Sequence, residues 1–199
     1  NRSAHPVTFD LAQSVKAWKG GELLASRRLE PMTLAPGESR AVRQTIPVRG
    51  ARRWSPEDPF LHVLDTTTGG DSLATRFGMR EFRYDTATKR AYLNGRPYFV
   101  RGSNITLHRF FEDPDSGTLP WDEAWVRRLL VDLPKKLHWN AFRFCIGPVP
   151  DKWLEIADEA GLLIQNEFFV WTGDPAWAQW PNRAYDVPEM VRQYSDWMR

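Results

Sequence analysis

Two stretches of the chain end on groups that can do chemistry. The apolar run Leu162-Leu163-Ile164-Gln165 stops on Asn166-Glu167, and the shorter run Asn140-Ala141-Phe142 stops on Arg143. A carboxylate at the tip of a buried strand can serve as a general acid or base. It can equally well orient a neighbouring cation or cap a loop. A guanidinium is a rigid planar fork, suited to holding a carboxylate or a ligand hydroxyl, and equally to a structural ion pair. Asn104, after Gly102-Ser103, can bond a ligand or form a turn. Trp171, Trp177 and Trp180 follow the Asn-Glu pair and offer flat rings, for stacking on a ligand or for packing a loop.

Composition narrows the classes. The chain has 199 residues, 42% hydrophobic and 13% aromatic, so it can bury a real core. With 27 basic and 25 acidic residues the net charge is +2, which makes no electrostatic case for nucleic acid or an anionic membrane surface. No apolar run approaches the roughly 18 residues of a spanning helix. Cys145 is a single cysteine, so an internal disulfide is excluded. There is no phosphate-cradling glycine loop, no His/Cys metal spacing and no serine nucleophile elbow.

Two kinds of element must position these groups. From Val7 to Tyr84 the pattern is short alternating runs with turns at Gly20-Gly21 and Ala35-Pro36-Gly37-Glu38, which predicts an antiparallel β-sandwich. Ala41–Val48 alternates and is read as one of these strands. Trp54-Ser55-Pro56-Glu57-Asp58-Pro59 cannot be central sheet, because its prolines lack ladder donors. Asn94-Gly95 predicts a hairpin turn. Beyond it the pattern changes. Asp122 caps a helix in which Trp125, Leu129, Leu133 and Leu137 form an apolar stripe, with Pro134 expected to kink or shorten it. A buried strand over Asn140–Phe144, a helix over Asp151–Ala160 stopped by Gly161, a buried strand over Leu162–Gln165 and a helix from Glu189 complete the order. Strand–helix–strand–helix–strand implies parallel βαβ units.

The motifs also fall in a familiar succession. Trp54-Ser55-Pro56-Glu57-Asp58-Pro59-Phe60-Leu61 is followed by Arg76-Phe77-Gly78-Met79-Arg80, Leu93-Asn94-Gly95-Arg96-Pro97 and Arg101-Gly102-Ser103-Asn104. Leu119-Pro120-Trp121-Asp122, Asn140-Ala141-Phe142-Arg143, Asp158-Glu159-Ala160-Gly161-Leu162 and Asn166-Glu167 complete it. Together they resemble glycoside hydrolase family 2, the β-galactosidases, β-glucuronidases and β-mannosidases, over nearly the whole chain. The resemblance implies an immunoglobulin-like β-sandwich over 1–85. It implies the first three to four βα units of an incomplete (β/α)8 TIM barrel over 86–199. Such barrels carry their sites at the C-terminal ends of the strands.

In that family the acid/base glutamate follows an asparagine at the end of barrel strand four, and the nucleophile lies near the end of strand seven. Glu167 ends the third strand. By resemblance it matches an earlier pocket-lining acid, which in some β-galactosidases helps hold a divalent cation; no other cofactor is implied. The two catalytic carboxylates of the retaining mechanism are expected beyond Arg199, leaving Glu167 a weaker catalytic candidate. Asn104, Arg143, Asn166, Glu167 and Trp171 are the expected substrate-binding residues, and a carbohydrate is the expected partner. Two positions depart from the family pattern. Thr106 stands where a histidine is common, with His108 two residues later and read as loop packing. After Arg143 the chain reads Phe144-Cys145-Ile146-Gly147-Pro148, with Ile146 in place of an imidazole and Cys145 read as a buried small hydrophobe. The alternative is a carbohydrate-binding or scaffold module without catalysis. Three strands cannot close a barrel, so an open edge and association into oligomers are expected.

Overall fold

The computed structural model describes residues 1–145, 147, 149–167 and 188–197. Two compact units divide the chain: Asn1–Val100 with Ala157–Leu162, and Arg101–Ile156 with the chain from Leu163 onward.

The first unit is built of antiparallel strands: β1 Val7–Phe9, β2 Leu11–Ala17, β3 Leu23–Arg28, β4 Met32–Leu34, β5 His62–Thr68, β6 Asp71–Phe77, β7 Phe82–Asp85, β8 Arg90–Leu93 and β9 Arg96–Pro97. They form a four-stranded sheet ordered β3-β2-β5-β6, a three-stranded sheet β7-β8-β9 and the pair β1-β4. The expected turns are present. Asn94 and Gly95 sit at φ 53° and 81°, the two left-handed positions of a primed hairpin turn. One expected strand is missing. Ala41–Val48 forms no ladder; it is tied by a hydrogen bond from Arg27 Nη1 to the Thr45 carbonyl and by Gln44 to Gln13. Alternation reports which side chains can be half-buried, but a strand also needs a neighbouring backbone.

Trp54 anchors this unit and is fully buried. Its indole N–H donates to the Asp158 carbonyl at 2.8 Å, and the Arg80 guanidinium lies 4.6 Å from its ring centroid. Its backbone N–H donates to Met79, and its carbonyl accepts from Asn94 Nδ2. The chain between β6 and β7 passes this ring at Gly78, where a Cβ would come within 2.8 Å of the Trp54 side chain. The following Ser55–Asp58 segment closes on itself through reciprocal backbone hydrogen bonds of 2.9 and 3.1 Å. Asp158 and Glu159 are both ion-paired. Glu159 accepts from Arg76 at 2.7 Å, and Asp158 lies 3.6 Å from Arg80. Burial pushes the Asp158 carboxyl up, against the pull of Arg80 and Arg76.

The second unit alternates. Its elements are β10 Gly102–Ile105, α1 His108–Glu112, a 3₁₀ turn Leu119–Trp121, α2 Glu123–Arg127, a π-helical turn Arg128–Asp132, α3 Leu133–Leu137, β11 Ala141–Phe144, α4 Asp151–Ala160, β12 Leu163–Asn166 and α5 Pro188–Trp197. The last turn of α4 is counted with the first unit. The three strands are parallel in the order β10-β11-β12. Asp122 caps α2 as expected, its Oδ1 accepting from the Ala124 and Trp125 amides. Pro134 is absorbed rather than terminating the helix. It has no N–H for the Leu130 carbonyl, and Leu133 reaches back five residues to Arg128, the widened hydrogen bond of a π turn.

The buried stripe is not the expected one. Val126, Leu130 and Pro134 are buried, whereas Trp125, Leu129 and Leu133 are only half-buried and Leu137 is exposed. Both stripes have the same spacing, and adjacent leucines at 129 and 130 make the apolar face ambiguous from sequence. β12 is likewise less buried than expected, since it lies at the edge of the three-stranded sheet while β11 occupies the centre.

Two outcomes follow from this packing. His62 is fully buried between Phe60 (4.9 Å, edge-on) and Phe77 (5.5 Å, stacked), and neither ring nitrogen has a partner among the described residues. Burial pushes its pKa below the ordinary value of about 6.5. The folded state therefore binds fewer protons than the unfolded chain. Stability should be full above about pH 6.5 and fall as the pH drops toward the folded pKa, by up to ~1.4 kcal/mol per pH unit. Urea unfolding at a series of pH values should show this slope, and His62→Phe should flatten it. An unchanged slope would assign the loss to other groups. At Gly102 a Cβ would lie 1.7 Å from the Ala141 carbonyl oxygen. Gly102→Ala should therefore destabilise the parallel sheet by about 3 kcal/mol or more, measured by hydrogen exchange of the β11 amides.

Candidate functional site

Pleating sorts the parallel strands into two faces. Gly102, Ala141 and Leu163 are in register, and Asn104, Arg143 and Gln165 are in register on the same face. The other face carries Ser103 and Ile105, Phe142 and Phe144, and Ile164 and Asn166. That second face is packed. Phe144 is buried and meets Trp153 edge-on at 5.7 Å. Trp153, fully buried on α4, adjoins Trp125 at 6.1 Å, which in turn adjoins Phe110 at 5.1 Å. The Trp153 indole N–H donates to the Pro120 carbonyl at 2.9 Å. This aromatic chain commits one face of the sheet to packing and leaves the Asn104–Arg143–Gln165 row for other use.

The strand starts are tied by one residue. Asn140 is buried, and its Oδ1 accepts from the Arg101 amide at 2.8 Å. Its amide donates to the Arg101 carbonyl and its carbonyl accepts from Leu163, both at 2.9 Å. Asn140 therefore fixes all three strands at their N-terminal ends, and the C-terminal ends are aligned as a consequence.

At those C-terminal ends Arg143 Nη2 donates to Glu167 Oε1 at 2.6 Å. The Glu167 backbone extends the ladder beyond β12: its amide donates to Phe144 and its carbonyl accepts from Gly147, both at 3.1 Å. Its second oxygen, Oε2, is buried and meets no donor among the described residues. A half-paired buried carboxylate is unfavourable unless something else supplies a donor. Arg143 thus orients one carboxylate oxygen, and the other is unmet among the described residues.

The expected residues do not all converge. Asn104 and Arg143 share a row and a face, and Glu167 joins them through Arg143. Asn166 lies on the opposite face by the alternation of β12. Trp171, Trp177 and Trp180, and the departure at Ile146, lie outside the described residues. Cys145 is half-buried rather than buried, with Sγ 3.2 Å from Thr106 Oγ1. His108 opens α1 and is half-buried. Gln165 was not singled out, although the period-two rule that puts Arg143 and Glu167 on one face includes it. Among the described residues no three His, Cys, Asp or Glu side chains come together as cation ligands. Glu167 is a lone carboxylate with a guanidinium already against it, a donor set that does not fit a cation by itself.

Known proteins resemble this chain over part of their length. No protein-family model matches it. A β-galactosidase of Photobacterium profundum is 29% identical over 153 residues, which are 69% of this chain and 14% of that enzyme. β-Galactosidase 2 of Enterobacter cloacae is 28% identical over 196 residues, 88% of this chain and 18% of that enzyme. Among solved structures, a Bacteroides uniformis β-glucuronidase superposes with a TM-score of 0.72 at 25% identity, covering 98% of this chain and 23% of that one. A family 2 β-galacturonidase from Eisenbergiella tayi bound to galacturonate shares the fold, with a TM-score of 0.73 at 24% identity. The chain thus spans less than a fifth of these two β-galactosidases.

The Arg143–Glu167 contact is directly measurable. A double-mutant cycle with Arg143→Met and Glu167→Gln should give a coupling energy of about 0.5–1 kcal/mol in urea unfolding, kept small by partial exposure of both side chains. A coupling of zero would mean that the guanidinium does not hold the carboxylate.

Proposed function

Since the chain is related to glycoside hydrolase family 2 over a small part of those enzymes, we propose that it is the front portion of a glycosidase that cleaves O-glycosidic bonds with retention of configuration. In this reading residues 1–85 are an immunoglobulin-like support, and residues 86–199 are the first βα units of a TIM barrel. The observation that carries it is the Arg143–Glu167 pair at the C-terminal ends of parallel strands, with one buried carboxylate oxygen unmet among the described residues. That is the end at which barrel enzymes build their pockets.

Retention needs two carboxylates roughly 5 Å apart, one as nucleophile and one as proton donor. Among the described residues Glu167 is the one carboxylate found at a parallel strand end, and Arg143 already takes one of its oxygens. We assign it to substrate positioning. Oε2 accepts a sugar hydroxyl, Arg143 fixes the plane of the carboxylate, and Asn104 offers an amide on the same face. Asn166 and Trp171 stay in the proposed binding set by the family resemblance alone. The nucleophile and the proton donor come from chain that follows Arg199. Among the described residues the parallel sheet ends at β10 and β12, and the 199-residue chain is expected to associate in sedimentation.

A panel of p-nitrophenyl β-glycosides (galactoside, glucuronide, mannoside, galacturonide) tests this on the 199-residue chain and on the longer protein encoded around it. Turnover of one member is expected from the longer protein alone. In it Glu167→Gln should raise KM about tenfold or more and change kcat less, as expected when a hydrogen bond made in both ground and transition states is lost. Turnover by the short chain would overturn the assignment of the reacting groups. Binding without turnover in both would favour a carbohydrate-binding module.

A further inference from the structure

The open face of the parallel sheet continues past the Asn104–Arg143–Gln165 row. Two hydrogen bonds carry the ladder one row further. The Cys145 amide donates to the Ile105 carbonyl at 2.9 Å, and the Glu167 amide donates to the Phe144 carbonyl at 3.1 Å. In a parallel pair such a bond sets the donor residue opposite the residue that follows the acceptor. Thr106 therefore stands opposite Cys145, and Cys145 opposite Glu167. The three lie two positions beyond Asn104, Arg143 and Gln165, so alternation returns them to the same face. Side-chain contacts agree with the backbone. Thr106 Oγ1 lies 3.2 Å from Cys145 Sγ, and Arg143 Nη2 reaches along the face to Glu167 Oε1 at 2.6 Å.

The row so formed is a hydroxyl, a thiol and a carboxylate, each half-buried. Its carboxylate is the one whose Oε2 is buried and unmet among the described residues, with Oε1 held by Arg143 from the row below. Neighbouring strands run about 5 Å apart, so Cys145 is the nearest residue to Glu167 across the ladder on that face. A thiol is compact and bonds weakly, so residue 145 contributes space more than affinity. We propose that Thr106 and Cys145 form the wall of the Glu167 site, and that the volume at position 145 selects which sugar is accepted. This rests on the glycosidase reading, in which Oε2 takes a sugar hydroxyl, and adds to it a residue that sets specificity. Cys145 stands beside the ligand. Thr106 is a positioning residue, whose hydroxyl holds the thiol in place.

The test uses the longer protein and the same four p-nitrophenyl β-glycosides, and reads the ratio of kcat/KM between the preferred sugar and the next best. Cys145→Ser keeps the volume and should hold this ratio within about twofold. Cys145→Leu adds bulk and should change it about tenfold, mainly through KM. Thr106→Val, which keeps the shape and loses the hydroxyl, should fall between them. Iodoacetamide repeats the experiment on folded protein. The Cys145 sulfur displaces iodide to form a thioether, and the thiol proton goes to solvent. The labelled parent should behave like Cys145→Leu, treated Cys145→Ser should not, and the methyl β-glycoside of the preferred sugar should slow labelling of Cys145. Unchanged ratios and KM in Cys145→Leu and in the labelled parent, with Glu167→Gln still raising KM, would overturn the wall and leave the glycosidase reading standing. An equal loss for all four sugars with earlier thermal unfolding would also overturn it, making position 145 structural. Turnover of no sugar by the longer protein would remove the glycosidase reading and the wall together.

Discussion

The parallel pairing of β11 between β10 and β12 is the constraint on which the site depends. β11 is four residues long and three of them are buried, so it can exist only with a neighbour on each edge. The neighbours are held close by particular residues. Gly102 lets β10 approach the Ala141 carbonyl where any side chain would collide, and Asn140 ties the starts of all three strands. A slip of one residue in either pairing would move Arg143 to the packed face and bring Phe144 to the open one. The 2.6 Å contact between Arg143 and Glu167 is thus a consequence of register, and only secondarily of charge attraction.

The two faces of this sheet divide the work between packing and chemistry. Phe144, Trp153, Trp125 and Phe110 form a chain of edge-on and tilted rings on one side, and Trp153 spends its N–H on Pro120. That hydrogen bond serves twice. It satisfies a buried indole, and it pins the turn that carries Trp121 outward. The same economy governs the first unit. Trp54 satisfies its indole on the Asp158 carbonyl, and Arg76 and Arg80 neutralise the two acids of the Asp158-Glu159 pair. Acids that could pass for catalytic groups in a linear reading are therefore occupied structurally. Glu167 differs from them in keeping a buried oxygen unmet among the described residues.

Much of this was legible in the residue order. Turns were legible wherever a position demanded a left-handed backbone, as at Asn94-Gly95, because few residues accept that conformation. The cap at Asp122, the stop at Gly161 and the βαβ alternation were legible because each is local chemistry. What misled was local ambiguity that distant contacts resolve. Ala41–Val48 alternates like a strand but has no ladder partner. Leu129 and Leu130 are equally apolar, and the π turn at Arg128–Asp132 together with the aromatic chain decides that the second is buried. Asn166 sits beside Glu167 in sequence and on the opposite face in the sheet, which alternation implies once the strand is known to extend that far.

By itself the sequence determined most of the element types, the antiparallel-then-parallel order and the resemblance to family 2 glycosidases, since these rest on spacing, turn chemistry and motif order. Only the tertiary structure decided that Arg143 grips Glu167, that Gln165 shares their face, that the buried ring nitrogens of His62 meet no partner among the described residues and that Trp121 is exposed. The reason is physical. Propensity and periodicity act over a few residues, whereas the partner of a side chain is set by strand register and by which face finds cover, and both are properties of residues far apart in the chain.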